Sequence, residues 1–432
     1  MKVVIVGAGF GGLKLARKLN NKAGFEVVLV DRFNHHQFQP LFYQVATAGL
    51  DPSNISFPLR KAFHKSDNVK VRLARLQEVI AAENKIVTDI GEISYDVLVL
   101  AMGAGTNFFN NAELEANAIP MKTTVEALNL KYKLVENFEK ALLIRDPLEL
   151  QRHMNVVITG GGPTGVELAG ALAEMRKHIL PKDYPELDFG KMNIYLLEGS
   201  EKTLGTMSDK SARESKEYLM KMGVTVMTKS LVKNYDGRQV TLNDGRVIDS
   251  SLVIWAAGVR GNVPQGIDQA VVVKGNRIKT DRHSLVEGAK NIYAIGDLAY
   301  MEEPAFPKGH PQVAPVAIQM GELLAQNLVR IERKSNPDTL FEFVYNDKGS
   351  MATVGRNKAV VDIPKPNIHL KGFIAWLAWM GLHLIMILGV KNKISIFFNW
   401  VYSYLTHDQN LRLIFRESNK PIRNEGPAKS FP

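Results

Sequence analysis

One feature constrains this chain more than any other: a glycine loop of the same design occurs twice, each time between an apolar strand and a helix. In the first copy a β-branched run over residues 2–6 leads into Gly7-Ala8-Gly9-Phe10-Gly11-Gly12. A helix is expected from about 12 to 19, and a second strand over 25–30 ends at Asp31. Gly7, Gly9 and Gly12 fit the spacing G-x-G-x-x-G. The first glycine permits a tight turn, the second lets a pyrophosphate approach the backbone, and the third lets helix and strand pack closely. The helix N-terminus then presents free N–H groups to the phosphates. Asp31 stands 24 positions after Gly7, the reach needed for a carboxylate on a ribose hydroxyl.

The theme returns about 150 residues later. A strand over 155–159 precedes Gly160-Gly161-Gly162-Pro163-Thr164-Gly165, a helix is expected over 166–177, and a strand over 193–197 ends at Glu198. The acid is further away here, 38 positions from Gly160, because an irregular stretch intervenes. Two copies of one βαβ unit mean a duplication of domain type, not a short-period repeat. A carboxylate at Glu198 favours a free 2′-hydroxyl and repels a 2′-phosphate, which argues for NADH over NADPH at this loop. Lys202 stands nearby and works against that preference.

Composition narrows the chemistry. The 432 residues include no cysteine. Disulfides, thiolate metal sites and thiol nucleophiles are therefore excluded, and no metal site is expected. The formal charge of +10 suits an anionic membrane or an acidic ligand. No run of Lys and Arg reaches five residues, so a nucleic-acid arm is not expected. The N-terminal apolar run is too short for a signal peptide and meets glycines at once.

Between the landmarks, strands are expected over 69–75, 86–90 and 95–101, the last ending in Met102-Gly103-Ala104-Gly105. Residues 125–150 read as helix. Residues 226–228 and 239–242 suggest a small antiparallel patch, with Asn243-Asp244-Gly245 as its turn. Strands over 252–257 and 291–295 end at Gly258 and at Gly296-Asp297, and a helix over 315–329 follows. Asn336-Pro337 marks the boundary of a C-terminal segment.

That segment is unusual. From 363 to 407 there is no Asp or Glu, and it holds three of the four tryptophans, Trp376, Trp379 and Trp400. Residues 373–390 carry no formal charge with His383 neutral, at a length near the lower limit of a membrane span. A second apolar stretch runs over 394–405. Three readings compete: a buried or dimer-contact helix, a transmembrane helix, and a pair of interfacial helices with Trp and Lys at the headgroup level.

These motifs together resemble the two-dinucleotide-binding-domain flavoproteins, in which FAD takes the first loop and the nicotinamide takes the second. Residues 101–105 resemble the group's A-T-G segment, with Met102 in place of Thr, and residues 292–297 resemble its second flavin signature, in which Asp297 would hold the ribityl or pyrophosphate region. Members that relay electrons through sulfur are excluded by the missing cysteines. Within the group the chain resembles the type II NADH:quinone oxidoreductases. Four stretches carry that likeness: residues 38–46 (FQPLFYQVA), 160–170 (GGGPTGVELAG), 255–258 (WAAG), and 311–319 before the apolar C-terminus. It departs at Pro315, where the family typically has a Gln near the nicotinamide and quinone sites.

The resemblance implies an α/β fold of two Rossmann-like domains plus a C-terminal helical membrane-attachment segment. The expected bounds are 1–118 with 265–335 for FAD, 119–264 for NADH, and 336–432 for the rest, with amphipathic anchoring helices at about 370–407. It implies one non-covalent FAD, NADH as substrate, and two electrons passed to a membrane quinone, menaquinone or ubiquinone, without proton pumping. FAD would be held by Gly7, Gly9, Phe10, Gly11, Gly12, Asp31, Arg32, Gln44, Val79, Ala101, Gly103, Asp297 and Ala314. NADH would be held by Gly160, Gly162, Pro163, Thr164, Gly165, Glu167, Glu198, Ala257 and Gly258. Tyr43, Gln44, Pro315, Gln319 and His383 would line the quinone site, and Glu167 and Gln319 would surround the reacting rings. Glu167 is read as a first-turn helix residue, so an acid welcomed by the helix dipole is the plain alternative. An anionic bilayer surface, a homodimer and attachment at the cytoplasmic face of the inner membrane complete the expectation. Two other functions remain open: a reductase for a soluble protein acceptor, and a membrane-bound redox-sensing module.

Overall fold

The computed structural model describes residues 1–334, 339–409 and 411–415, so the boundary expected at Asn336-Pro337 lies outside the described residues. The helices used below are α1 (Phe10–Leu19), α2 (Phe42–Ala46), α3 (Thr124–Ala141), α4 (Pro147–Met154), α5 (Pro163–His178), α6 (Asp209–Lys221), α7 (Ala314–Glu332), α8 (Gly372–Met386) and α9 (Val390–Thr406). The chain forms two compact units. The first comprises Met1–Gln37, Ser56–Asn107 and Gly258–Lys348, and the second Phe38–Ile55, Phe108–Ala257 and Gly349–Pro432.

The first unit is built on a five-stranded parallel sheet. Its order is Ile292–Ala294, Val97–Leu100, Lys2–Val6, Glu26–Asp31, Val69–Leu73. The central strand reads Val-Val-Ile-Val and is buried over Val3–Val6. A strand covered on both faces has no polar side to show, hence the unbroken apolar run. Helix α1 packs on α7 at two glycines: a Cβ on Gly321 would lie 2.4 Å from the Gly11 oxygen.

The second unit repeats the design, with a parallel sheet ordered Ile119–Pro120, Leu252–Trp255, Asn155–Thr159, Asn193–Leu197, Val224–Met227. The short strand near 226 therefore belongs to this parallel sheet. The antiparallel patch is made instead by Val232–Tyr235, Gln239–Leu242 and Val247–Asp249. Tyr235, Val240 and Leu242 from that patch share a core with Val157, Leu197 and Trp255 of the parallel sheet. The long helix expected over 125–150 is two helices, α3 and α4. Pro147 has no N–H to continue a helix, and Asp146 caps the new one by accepting from the Leu148 and Glu149 amides.

The C-terminal part of the second unit is a three-stranded antiparallel sheet, Ser350–Gly355, Lys358–Ile363 and Ile368–Lys371, followed by α8 and α9. The first of these strands lies tight against α5: a Cβ on Gly170 would sit 1.8 Å from the Val354 oxygen. Ala375 of α8 packs on Ala359 and Val361 of the sheet. The apolar run at 373–390 is not one helix. Helix α8 ends at Met386 after 15 residues, and the chain turns at Gly389, whose φ of +85° suits glycine. At 1.5 Å per residue it spans only about 22 Å, short of a hydrocarbon core of about 30 Å. No helix among the described residues is long and apolar enough to cross a membrane. That removes the transmembrane reading of this segment.

Candidate active site

The two glycine loops are built alike, atom for atom. The Gly7 amide donates to Val30 O and the Gly160 amide to Leu197 O, each at 2.8 Å. The acids then close each loop: Asp31 Oδ2 accepts from the Ala8 amide and Glu198 Oε2 from the Gly161 amide, each at 2.6 Å. Gly7 and Gly160 have φ near +105°, and a Cβ would strike Ala101 O or Ala256 O. A Cβ on Gly12 or Gly165 would lie 1.9 Å from the oxygen of Gly7 or Gly160. Gly9 and Gly162 differ from the rest: a Cβ there meets no atom within 4 Å among the described residues. Each loop is thus closed where strand and helix meet and open at its middle glycine, which fits an approaching pyrophosphate.

In the first unit, Phe10 begins α1 and meets the His36 ring edge-on at 5.2 Å. His36, which the sequence did not single out, is buried, and its Nδ1 lies 2.9 Å from Ala8 O. Because a carbonyl only accepts, Nδ1 carries the proton. Burial lowers the pKa of His36, so a neutral ring props the loop. Arg32 is exposed with its guanidinium over Phe33. Val79 is buried, and its amide donates to Gln265 O. Gly103 has φ +63° and, among the described residues, no atom within 4 Å of its Cβ position. Asp297 is half-buried in a 3-10 turn, and Gln312 Nε2 donates to its carbonyl. Ala314 and Pro315 are the first two residues of α7. Proline is favoured at such a position because the first amides of a helix have no intrahelical acceptor. Gln319 is spent on backbone: it donates to Asn346 O and accepts from the Asn346 amide, both at 3.0 Å. Gln44 is the one residue expected at FAD that belongs to the second unit.

In the second unit, Pro163 and Thr164 open α5 and are exposed, with Gly162 at the N-cap. Lys202 is held by Asp209 Oδ1 at 2.7 Å and by Met207 O, so it does not offset the Glu198 charge. Ala257 closes the second unit, and Gly258 belongs to the first.

Glu167 is the fifth residue of α5, not a first-turn acid, because the helix starts at Pro163. The dipole explanation therefore loses its place, since that effect fades beyond the first turn. Glu167 is 8% exposed. Its Oε1 accepts from the Thr353 amide at 3.4 Å. Burial pushes its carboxyl up to about 8, opposed by the Thr353 amide and the Trp379 indole. That indole favours ionisation from nearby, although its Nε1 completes no hydrogen bond among the described residues.

Glu167 lines a cavity of about 160 Å³ with Tyr43, Gln44, Thr353, Trp376, Trp379 and Trp400, among others. Tyr43 is buried and its phenol pushed well above its usual value, first by burial and then by the Glu167 charge. Gln44 bridges two walls: Nε2 donates to Tyr43 Oη and Oε1 accepts from Trp400 Nε1, both at 2.8 Å. His383 does not line the cavity. It is stacked on Trp379 with ring centroids 4.0 Å apart, and its Nδ1–H donates to Trp379 O at 2.7 Å. Burial lowers it to about 4, so its ring is neutral and packs rather than lining the space where the resemblance had placed it. Trp379 is itself buried, at 2% exposure, whereas the interfacial reading would have it at the headgroup level. Glu174, His178, Arg356, Tyr404 and His407 also line the cavity and were not foreseen. The spacing of Glu167, Glu174 and His178 along one helix was the available signal.

Two open glycine loops, each closed by an acid at the end of the next strand, define a flavoprotein with one site for FAD and one for a nicotinamide. The family model described as pyridine nucleotide-disulphide oxidoreductase matches residues 1–321, and the model described as NDH2 C-terminal domain matches residues 348–407. The type II NADH:quinone oxidoreductase of Mycobacterium tuberculosis is 34% identical over 421 residues, covering 94% of this chain and 88% of that one. The chain belongs to the type II NADH:quinone oxidoreductases. The fold is shared with the structure of NDH2 from Plasmodium falciparum in complex with NADH, at TM-score 0.85 and 22% identity, covering 93% and 98% of the two chains. It is shared more loosely with a sulfide:quinone oxidoreductase from Aquifex aeolicus, at TM-score 0.71 and 20% identity over 93% and 95%. The chain is an FAD-dependent NADH dehydrogenase with a quinone as acceptor, and without cysteine it works with no thiol relay. The two alternatives, a soluble protein acceptor and a sensing module, are not favoured.

Proposed function

We propose that the cavity beside Glu167 is where the quinone is reduced. One observation carries this reading: a carboxyl that burial keeps protonated at neutral pH and the tryptophans of two apolar C-terminal helices line the same space. Bound FAD would take a hydride from NADH and deliver two electrons, chemistry that no side chain here supplies. The chain supplies the surroundings. Gly9 and Gly162 leave room for the two pyrophosphates, and Asp31 and Glu198 stand ready for the riboses. Glu167 holds a proton on its carboxyl, Tyr43 offers a neutral hydroxyl, and the indoles exclude water.

The quinone, menaquinone or ubiquinone, reaches this space from a bilayer. Phe373, Ile374, Leu377, Leu382 and Ile385 of α8 are exposed, as are Ile394, Phe397, Phe398, Val401 and Leu405 of α9. So large an apolar face in a chain of charge +10 suits helices lying in the interface of an anionic membrane. We expect attachment at the cytoplasmic face of the inner membrane, and a homodimer, which the mass of the detergent-solubilised protein tests. The site itself is tested with a photoreactive quinone on the FAD-loaded protein. Labels should fall on peptides of Gly372–Met386 and Val390–Thr406. Labelling confined to peptides that do not line the cavity, those without Tyr43, Gln44, Glu167, Thr353 or the two helices, sinks the proposal.

A further inference from the structure

Quinone reduction takes two electrons and two protons. NADH brings two electrons and one proton as hydride, so one further proton per turnover enters from water. Glu167 is 8% exposed and needs a route for its replacement proton.

Helix α5 provides one. Glu167, Ala171, Glu174 and His178 are spaced i, i+4, i+7 and i+11, which places them on one helix face. All four line the same cavity. Exposure rises along the row: the Glu174 side chain is 25% exposed and that of His178 32%. His178 Nε2 lies 3.7 Å from Glu174 Oε2. Ala171 leaves the intervening wall without a bulky side chain. The gap from Glu167 to Glu174 is about 10 Å along the axis at 1.5 Å per residue, and a cavity of about 160 Å³ has space for bridging waters.

We propose that Glu174 and His178 carry protons from water to Glu167 along the cavity face of α5. This rests on the reading of the cavity as the quinone site. A solvent proton adds to His178 Nδ1, and the proton on Nε2 leaves for the Glu174 carboxylate. Glu174 releases it through cavity water to Glu167, whose own proton has gone to a quinone oxygen. The net movement is one proton from solvent to quinol, and no electron changes place on the way. The charged and titratable groups facing this row are Tyr43 from α2, Arg356 from the turn after Gly355, Tyr404 from α9 and His407 just beyond it, and, across a second cavity that Glu174 and His178 also line, Arg176, Lys177, Asp188, Lys221 and Lys358. Arg356 is bonded to Tyr404 O and to His407 Nε2, and His407 lies ring to ring with His178 at 4.9 Å. Burial first, and then His407, Lys177 and Arg356, lower the pKa of His178, while Glu174 raises it. That shift favours the neutral ring, and the Glu174 carboxylate beside it is the group that draws a proton onto it.

The test compares Glu174→Gln, His178→Ala and Glu167→Gln in the FAD-loaded enzyme, with rates taken per bound FAD. The two relay variants should slow turnover with a soluble quinone about tenfold more than turnover with ferricyanide, which takes electrons and no proton. The gap should widen as pH rises, and added imidazole should restore His178→Ala. Equal slowing with both acceptors, or no rescue by imidazole, overturns the relay. If only Glu167→Gln separates the two acceptors, the relay is wrong and the quinone site stands. If none of the three separates them, the quinone site fails and the relay with it.

Discussion

The Trp400 indole donates to Gln44 Oε1 at 2.8 Å, and so ties the second apolar helix to the wall of the cavity. The other end of the same amide holds Tyr43 Oη. Trp400→Phe keeps the aromatic bulk and removes the donor. We expect a loss of about 1 kcal/mol in stability and a KM for quinone raised several-fold. Thermal unfolding and quinone titrations check both. An unchanged KM would mean that the bridge is only structural.

The glycine loops separate binding from folding. Gly9→Ala places a methyl in open space, so the protein should fold and lose FAD affinity, by roughly tenfold or more if the methyl displaces a pyrophosphate. Gly162→Ala should retain FAD and raise the KM for NADH. Gly12→Ala and Gly165→Ala drive a Cβ to 1.9 Å from a carbonyl oxygen and should impair folding itself. Flavin absorbance of the purified variants distinguishes these outcomes.

Glu198 carries the nicotinamide preference. Lys202 is occupied by Asp209, which leaves the Glu198 charge to face a 2′-phosphate. Glu198→Gln retains a side-chain acceptor for the Gly161 amide and removes that charge. The ratio of kcat/KM for NADH over NADPH should fall by about tenfold, roughly 1.4 kcal/mol. A ratio that does not move would place the discrimination elsewhere.

Much of this was legible in the sequence because local chemistry determines it. Strand, loop, helix and acid follow one another within each βαβ unit, and the two units were readable from the glycines and from Asp31 and Glu198. What was not legible depends on partners distant in sequence. The strand near 226 joined a parallel sheet because its neighbour is Asn193–Leu197. Trp379 looked like an interfacial residue because only packing shows that it is buried near Glu167 and stacked on His383. Glu167 was chosen for its motif, but its burial comes from a sheet and a helix nearly 200 residues downstream. The break between α3 and α4 was within reach: Asp146-Pro147 is a helix start by its chemistry.

The apolar faces of α8 and α9 make a prediction about membranes. Replacing Phe397, Phe398 and Leu405 with Ser, all on exposed positions of α9, should abolish co-sedimentation with anionic vesicles while FAD remains bound. Raising salt should weaken the wild-type association only in part, since burial of apolar area is unscreened. Full release by salt alone would point to a purely electrostatic attachment.

Glu167 is the residue on which the account turns. Its carboxyl is raised to about 8 in the folded protein against an ordinary value of 4.5. A raised folded value stabilises the fold below the ordinary value, and that contribution is lost as pH rises through about 8. Glu167→Gln should therefore flatten the fall in stability over this window, an effect on the order of a few kcal/mol. The same proton is the one offered to the quinone. The most direct measurement is single-turnover reoxidation of the NADH-reduced enzyme by a soluble quinone, followed by flavin absorbance across pH. Wild-type rates should fall as pH passes about 8, and Glu167→Gln should be slow throughout and lack that limb. A variant that is reoxidised at the wild-type rate, with the limb intact, would contradict the assignment of the cavity.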